Sequence, residues 1–306
     1  MAQSLLTRLY RRLLRWFYRP FVGPPFPVSF QRRFMALAVR SAPGAAGTST
    51  ERLVGVDPSM LRVSAGAGAG DPAGRKALLW VHGGGFVLGS AQTHAGLAGH
   101  IARAAGDDVD VYLPDYRLAP EHAFPAATDD VFRAYRTVLD RGHDPARVAI
   151  GGDSAGGAIS ILTALAIREM DVPSPAAMVL VSPVTDLSLS GGSVVAKRGT
   201  EALLREEWLR YGYRSFADTL ALIDPSISPL YADPHGLPPT LIQVGEHEIL
   251  LDDSLRWADR AWGAGVEVEL QRFPDMWHDF QIQAGFIDVA AEAVGDIGAF
   301  LRRRWA

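Results

Sequence analysis

The chain has 306 residues, 48% of them hydrophobic and 21% charged, an ordinary balance for a soluble protein and enough for one large α/β domain. Its net charge of −4 hides an asymmetry: residues 1–50 hold eight arginines and no carboxylate, so the remainder is acidic, which argues against a nucleic-acid partner. The lack of any cysteine excludes disulfides, thiol catalysis and cysteine-ligated zinc.

Leu5 to Tyr18 is broken by Arg8, Arg11, Arg12 and Arg15, unlike a secretory signal, and no apolar run is long enough to span a bilayer. A cytoplasmic enzyme is expected. Leu6, Leu9, Leu13, Trp16 and Phe17 share one helical face, with Arg8, Arg12, Arg15 and Arg19 on the opposite one. The expectation is a helix ending near Pro20, its apolar stripe packed on its own domain and its basic face in water. A weak contact with a membrane surface is the other reading. The stiff link Gly23 to Pro27 leads to a second helical segment, Phe30 to Val39, and Ala42 to Thr50 reads as loop.

Leu53 to Val63, interrupted by Asp57-Pro58, reads as a strand hairpin, and Gly66 to Gly74 as a flexible turn. A regular alternation follows. Strands are expected at Ala77 to Val81, Val109 to Leu113, Val148 to Ile150, Met178 to Val181, Thr240 to Val244 and Val266 to Leu270. Helices are expected between them at Thr93 to Ala105, Asp129 to Asp140, Ala158 to Ile167 and Leu251 to Trp262, with a last one containing Ala290, Val294, Ile297 and Leu301. This pattern predicts an α/β fold with a mostly parallel sheet covered by helices on both faces, and a site beyond the carboxyl ends of its strands. Leu187 to Gly236 breaks the rhythm, with helical patches only (Glu201 to Arg214, carrying Trp208 and Tyr211). At about fifty residues it is too long for a passive connection. It is read as a lid.

The chemistry centres on Gly152-Asp153-Ser154-Ala155-Gly156, a Gly-x-Ser-x-Gly segment where a β-branched run meets a small-residue helix. Such an elbow is too tight for side chains beside the serine and presses the hydroxyl into the open. A phosphate-cradling loop would need a lysine after it, and none follows. Just past the first buried strand stands His82-Gly83-Gly84-Gly85-Phe86. Its glycine N–H groups, with that of Ala155, suit the oxyanion of an acyl-transfer intermediate, and His82 is read as holding the loop. A serine needs a base and the base an orienting acid. His278, in the loop after the last strand, is the base; His94, His100, His122, His143 and His235 are read as structural or surface. The acid comes from the loop after Val244, which offers Glu246, Glu248, Asp252 and Asp253; each gives the order serine, acid, histidine.

His82 to Phe86, Tyr116 to Glu121, Gly152 to Gly157 and Leu237-Pro238-Pro239-Thr240 together resemble the hormone-sensitive-lipase-like family of microbial carboxylesterases, over Ala77 to the C-terminus. The resemblance implies an α/β-hydrolase fold with a helical cap formed by residues 1–45 and 187–236, around core segments 46–186 and 237–306. It implies Ser154 as nucleophile, His278 as base, and two of Gly83, Gly84 and Gly85 with Ala155 as oxyanion donors. Where the family carries an Asp followed by Pro-Leu-Arg-Asp, this chain has Glu248-Ile249-Leu250-Leu251-Asp252. Alignment puts Glu248 at the catalytic position and Asp252 at the second carboxylate. The implied activity is hydrolysis of short- to medium-chain carboxylic esters, a small-molecule substrate, with no cofactor and no metal. Lactones or small acetylated molecules are the alternative substrates. A non-catalytic receptor on this fold would lack a triad member, and Ser154 and His278 are both present.

Overall fold

Eight strands hydrogen-bond into one sheet in the order β1-β2-β4-β3-β5-β6-β7-β8. The structure, a computed structural model, describes residues 5–39, 44–66 and 71–306. The strands are β1 (Thr48–Leu53), β2 (Met60–Ala65), β3 (Lys76–Val81), β4 (Val109–Pro114), β5 (Val148–Asp153), β6 (Ala177–Val181), β7 (Thr240–Gly245) and β8 (Val268–Phe273). From β4 across to β8 every pairing is parallel; β1, β2 and β4 pair antiparallel. The helices are α1 (Leu5–Leu13), α2 (Val28–Val39), α3 (Ala91–Ala105), α4 (Ala126–Asp140), α5 (Ala155–Glu169), α6 (Ser193–Ala196), α7 (Glu206–Ala217), α8 (Leu251–Gly263) and α9 (Asp288–Arg304).

Strands β3 to β7 are buried along almost their whole length, as a parallel sheet sandwiched between helices requires. The helices α3 and α9 cover one face, and α4, α5 and α8 the other. Ser90 starts α3 with a reciprocal cap: its hydroxyl accepts from Thr93 N–H while the Thr93 hydroxyl accepts from Ser90 N–H.

Several boundaries differ from expectation by a few residues, α7 starting at Glu206 and not Glu201; the two at the sheet edges have a clear cause. The hairpin starts at Thr48, inside the stretch read as loop, because Thr48 to Glu51 form an edge strand with little burial and therefore no apolar alternation. The last strand runs Val268–Phe273, two residues later than expected; it is the other edge, only partly buried, and carries Glu269, Gln271 and Arg272. Part of the expected turn at Gly66 to Gly74, residues 67–70, lies outside the described residues, as do residues 42–43 of the expected loop.

The first helix departs from expectation on its apolar face, while Arg8 and Arg12 are exposed as expected. Leu9, Leu13, Trp16 and Phe17 face solvent, whereas Thr7 and Leu14 are buried; the side chain of Leu6 lies outside the described residues. Arg15 and Arg19, expected in water, instead donate to the carbonyl oxygens of Gly199 and Leu204. After Leu13 the helix widens into one π-type turn, Leu14–Tyr18. This turn lets the inward face run Thr7, Leu14, Tyr18, while long arginine stems reach sideways to backbone acceptors. Segment 187–236 contains α6, α7 and a short 3-10 turn, Pro229–Tyr231. It meets the N-terminal segment directly, Arg205 donating to the carbonyl oxygens of Val22 (2.7 Å) and Pro24 (2.9 Å).

Candidate active site

Ser154 stands between β5 and α5 with φ 52° and ψ −120°, a backbone conformation that side-chain-bearing residues rarely adopt. Its neighbours are glycines because the elbow presses against the end of β3. A Cβ at Gly152 would sit 2.4 Å from the Val81 carbonyl oxygen, and one at Gly156 2.0 Å from the same atom. The turn is pinned from β6, whose Val181 carbonyl accepts the Ser154 N–H at 2.9 Å.

Asp153, buried beside the serine, ties the elbow to the glycine loop. One carboxylate oxygen accepts from the Trp80 indole (2.9 Å), the other from Gly83 N–H (2.9 Å), and the second also lies 3.2 Å from His94 Nε2. Burial favours the neutral acid, but His94 outweighs it and holds Asp153 below the usual carboxylate range. His94, read from sequence as merely structural or surface, is thus a buried ion-pair partner of the loop. Gly83 N–H is spent on Asp153, which leaves those of Gly84 and Gly85, with Ala155, unengaged among the described residues. His82 accepts no role in proton transfer here. Its ring bonds the Gly83 carbonyl (2.8 Å) and stacks on Tyr116, and burial lowers its pKa to about 4.

Of the four acidic candidates, one reaches His278. Glu248 Oε2 lies 2.6 Å from His278 Nδ1, while Glu248 Oε1 accepts from Ser182 Oγ and Gly245 N–H, both at 2.9 Å. Glu246 pairs with Arg272 at the surface. Asp252 accepts from Ser193 N–H (2.9 Å), tying the 187–236 segment to α8. Asp253 accepts from the N–H groups of Thr185 (2.7 Å) and Asp186 (2.9 Å). The loops that carry Glu248 and His278 are stitched by His247 N–H donating to the Met276 carbonyl at 2.9 Å.

Sequence reasoning missed three polar residues of this site. Ser182 orients the acid, as above. Glu201, in the 187–236 segment, is fully buried; its carboxylate accepts from Leu203 N–H (2.7 Å), Leu204 N–H (3.2 Å) and Ile249 N–H (3.0 Å), fastening that segment to the residue after Glu248. Asp279, adopting a left-handed backbone with φ 53°, places Oδ2 3.0 Å from His278 Nε2, the ring nitrogen away from Glu248. Among the described residues Ser154 Oγ makes no hydrogen bond to His278. No motif marks these positions: each is a lone polar residue whose burial arises only from folding.

A pocket opens over Ser154 and His278. Its roof is apolar: Tyr18, Val22 and Met35 come from the N-terminal segment, and Leu203, Leu204 and Trp208 from the 187–236 segment. The roof rests on the glycine loop itself. Trp208 lies over Gly85, where an added Cβ would approach its ring to 3.0 Å, and a Cβ on Gly212 would fall 2.4 Å from the Gly85 carbonyl oxygen. Phe86 stacks on Phe216 with ring centres 4.0 Å apart. The arrangement offers a strained hydroxyl, a buried imidazole backed by a carboxylate, unengaged N–H groups and an apolar slot. Among the described residues no group of His, Asp and Glu is placed to hold a metal ion.

A family model described as alpha/beta hydrolase fold matches residues 78–282. An esterase of Acinetobacter venetianus is 36% identical over 81% of this chain and 80% of its own length. An acetyl-hydrolase of Streptomyces hygroscopicus is 37% identical over 74% of this chain and 75% of its own. A solved structure of an esterase from the bacterial hormone-sensitive lipase family superposes with a TM-score of 0.91 at 36% identity, with 100% of both chains covered.

Proposed function

Since the chain belongs to the bacterial hormone-sensitive lipase family of α/β-hydrolases and is a carboxylic ester hydrolase, we propose that Ser154, His278 and Glu248 act together on short- and medium-chain esters through an acyl-enzyme. The observation that carries this reading is the Glu248–His278 contact of 2.6 Å in the wall of the pocket that holds Ser154. His278 takes the Ser154 proton on Nε2 as Oγ attacks the ester carbonyl, and Glu248 steadies the resulting imidazolium through Nδ1–H. Gly84, Gly85 and Ala155 donate to the oxyanion. The imidazolium then protonates the leaving alcohol. A water, deprotonated by the same histidine, releases the acid.

The apolar roof suits an acyl chain of limited length. With p-nitrophenyl esters, kcat/KM is expected to be highest between acetate and octanoate and to decline toward palmitate. Undiminished turnover of palmitate would overturn the chain-length assignment, and no turnover of any ester would overturn the reading itself. The similarity to a Streptomyces acetyl-hydrolase favours a second reading, deacetylation of a small acetylated molecule, with acetate released in place of a longer acid.

Asp279 sets the pH dependence. Burial alone would lower the pKa of His278, but the Asp279 and Glu248 carboxylates overcome it and raise it well above the ordinary imidazole value. Burial likewise pushes Asp279 up to about 7. The other groups that bear on this pair are Glu201 from the cap, Asp153 and His94 from the core, and Tyr18 from the roof. Catalysis needs neutral His278, so a raised pKa moves the acid limb of the rate profile upward from pH ~6.5. Asp279→Asn removes the carboxylate charge beside Nε2. Its kcat/KM profile is expected to shift toward acid, so the variant outperforms the parent below neutrality. An unmoved limb would show that Asp279 does not act on the base.

A further inference from the structure

Half of the large apolar side chains that the described residues leave exposed fall within a short stretch, residues 9–37. Trp16 is 70% exposed and Phe17 68%, beside Leu9 and Leu13 on the outer face of α1 and its π-type continuation. Phe21 and Phe30 extend the surface, joined through Phe26 by ring contacts of 5.7 and 5.0 Å. The same backbone turns its other side into the pocket. Tyr18 follows Phe17 directly, lines the pocket, and contacts Phe34, which contacts Phe21. A continuous aromatic seam therefore runs from the pocket wall to the outer surface.

The charge around this surface is of one sign. Residues 1–50 carry eight arginines and no acid, and Arg8, Arg12 and Arg33 are exposed on the same two helices that carry this surface. An apolar face of tryptophan and phenylalanine rimmed by arginine is suited to the boundary between head groups and acyl chains. Arginine also gains from an anionic surface potential. A second copy of the same face would bring arginine against arginine, so self-association through it is opposed by charge. No helix among the described residues is long and apolar enough to cross a bilayer. The contact is one of lying on the surface.

We propose that the outer face of residues 9–37 docks the protein on an anionic lipid surface. The docking stands apart from the ester chemistry; that an ester is drawn from the surface into the pocket rests on the proposed function.

The full-length protein is tested by co-flotation with vesicles of phosphatidylcholine alone and of phosphatidylcholine with phosphatidylglycerol. Flotation is expected with the anionic vesicles only, and to weaken in high salt. The double variant Trp16→Ser/Phe17→Ser is expected to bind at least ~10-fold more weakly, and Arg8→Glu/Arg12→Glu to lose the preference for anionic lipid. Turnover of water-soluble p-nitrophenyl acetate is the control, unchanged in both double variants because none of these side chains touches the pocket. No flotation of the parent, or equal flotation of the Trp16/Phe17 variant, overturns the proposal. A dimer in sedimentation velocity that Trp16→Ser/Phe17→Ser dissolves, with no vesicle binding, overturns it in favour of a second copy. Failure to hydrolyse the soluble acetate would strike the proposed function and leave the docking result standing.

Discussion

Ser154→Ala is expected to lower ester turnover by about 10⁶-fold, on the scale of nucleophile removal in other serine hydrolases. Alanine fits the elbow as well as serine does, since the strained φ is set by β5, α5 and the Val181 carbonyl and not by the hydroxyl. Folding should therefore survive. What is lost is the covalent route; oxyanion donors and pocket remain, so a small residual rate over water is expected. A serine-directed phosphonate should add one equivalent to the parent, at Ser154 by peptide mass spectrometry, and none to the variant. Labelling at another serine, or turnover within tenfold of the parent, would remove Ser154 from the role of nucleophile.

Glu248→Gln is expected to cost roughly 10³–10⁴ in turnover, the scale of the aspartate-to-amide change in a serine protease. The substituted amide keeps the length and most of the packing. It also keeps an oxygen for Ser182 and Gly245, which fixes that oxygen at the Oε1 position and turns the NH₂ toward His278 Nδ1. A donor there forces the other imidazole tautomer, with its proton on Nε2, where the serine proton has to go. Asp252→Asn provides the contrast. Its carboxylate contacts Ser193 N–H and not the histidine, so turnover should stay near the parent and only stability should fall. Circular dichroism of both variants separates misfolding from lost catalysis. A folded Glu248→Gln protein with near-parental turnover would reassign the acid.

The sequence made the central layers legible because their physics is periodic. Buried strands β3 to β7 read as short, largely apolar runs, and the helices between them as apolar stripes. The elbow and the glycine loop also announce themselves, since close backbone approach excludes side chains and leaves glycine behind. Edge strands were harder: Thr48 to Glu51 have no buried face to write an alternation. The N-terminal stripe was legible as a stripe and misread in direction. Amphipathic spacing says that two faces differ, and here carbonyl acceptors in the 187–236 segment drew Arg15 and Arg19 inward while the apolar face was left outside. Asp279, Glu201 and Ser182 were illegible for a third reason. A single polar residue carries no mark of burial until the loops around it close.

The crossing of Gly212 over the Gly85 carbonyl has a consequence for how such a protein can diversify. The α7 element that lines the pocket is also the element that presses on the glycine loop, with room for no side chain between them. Specificity and rate are therefore mechanically joined at one point. Loop grafts that re-sculpt the slot while respecting this crossing are free to change which acid is released. A graft that brings even alanine to position 212 pushes on Gly85 and blunts every substrate alike. The roof is a removable part only where it does not touch the floor.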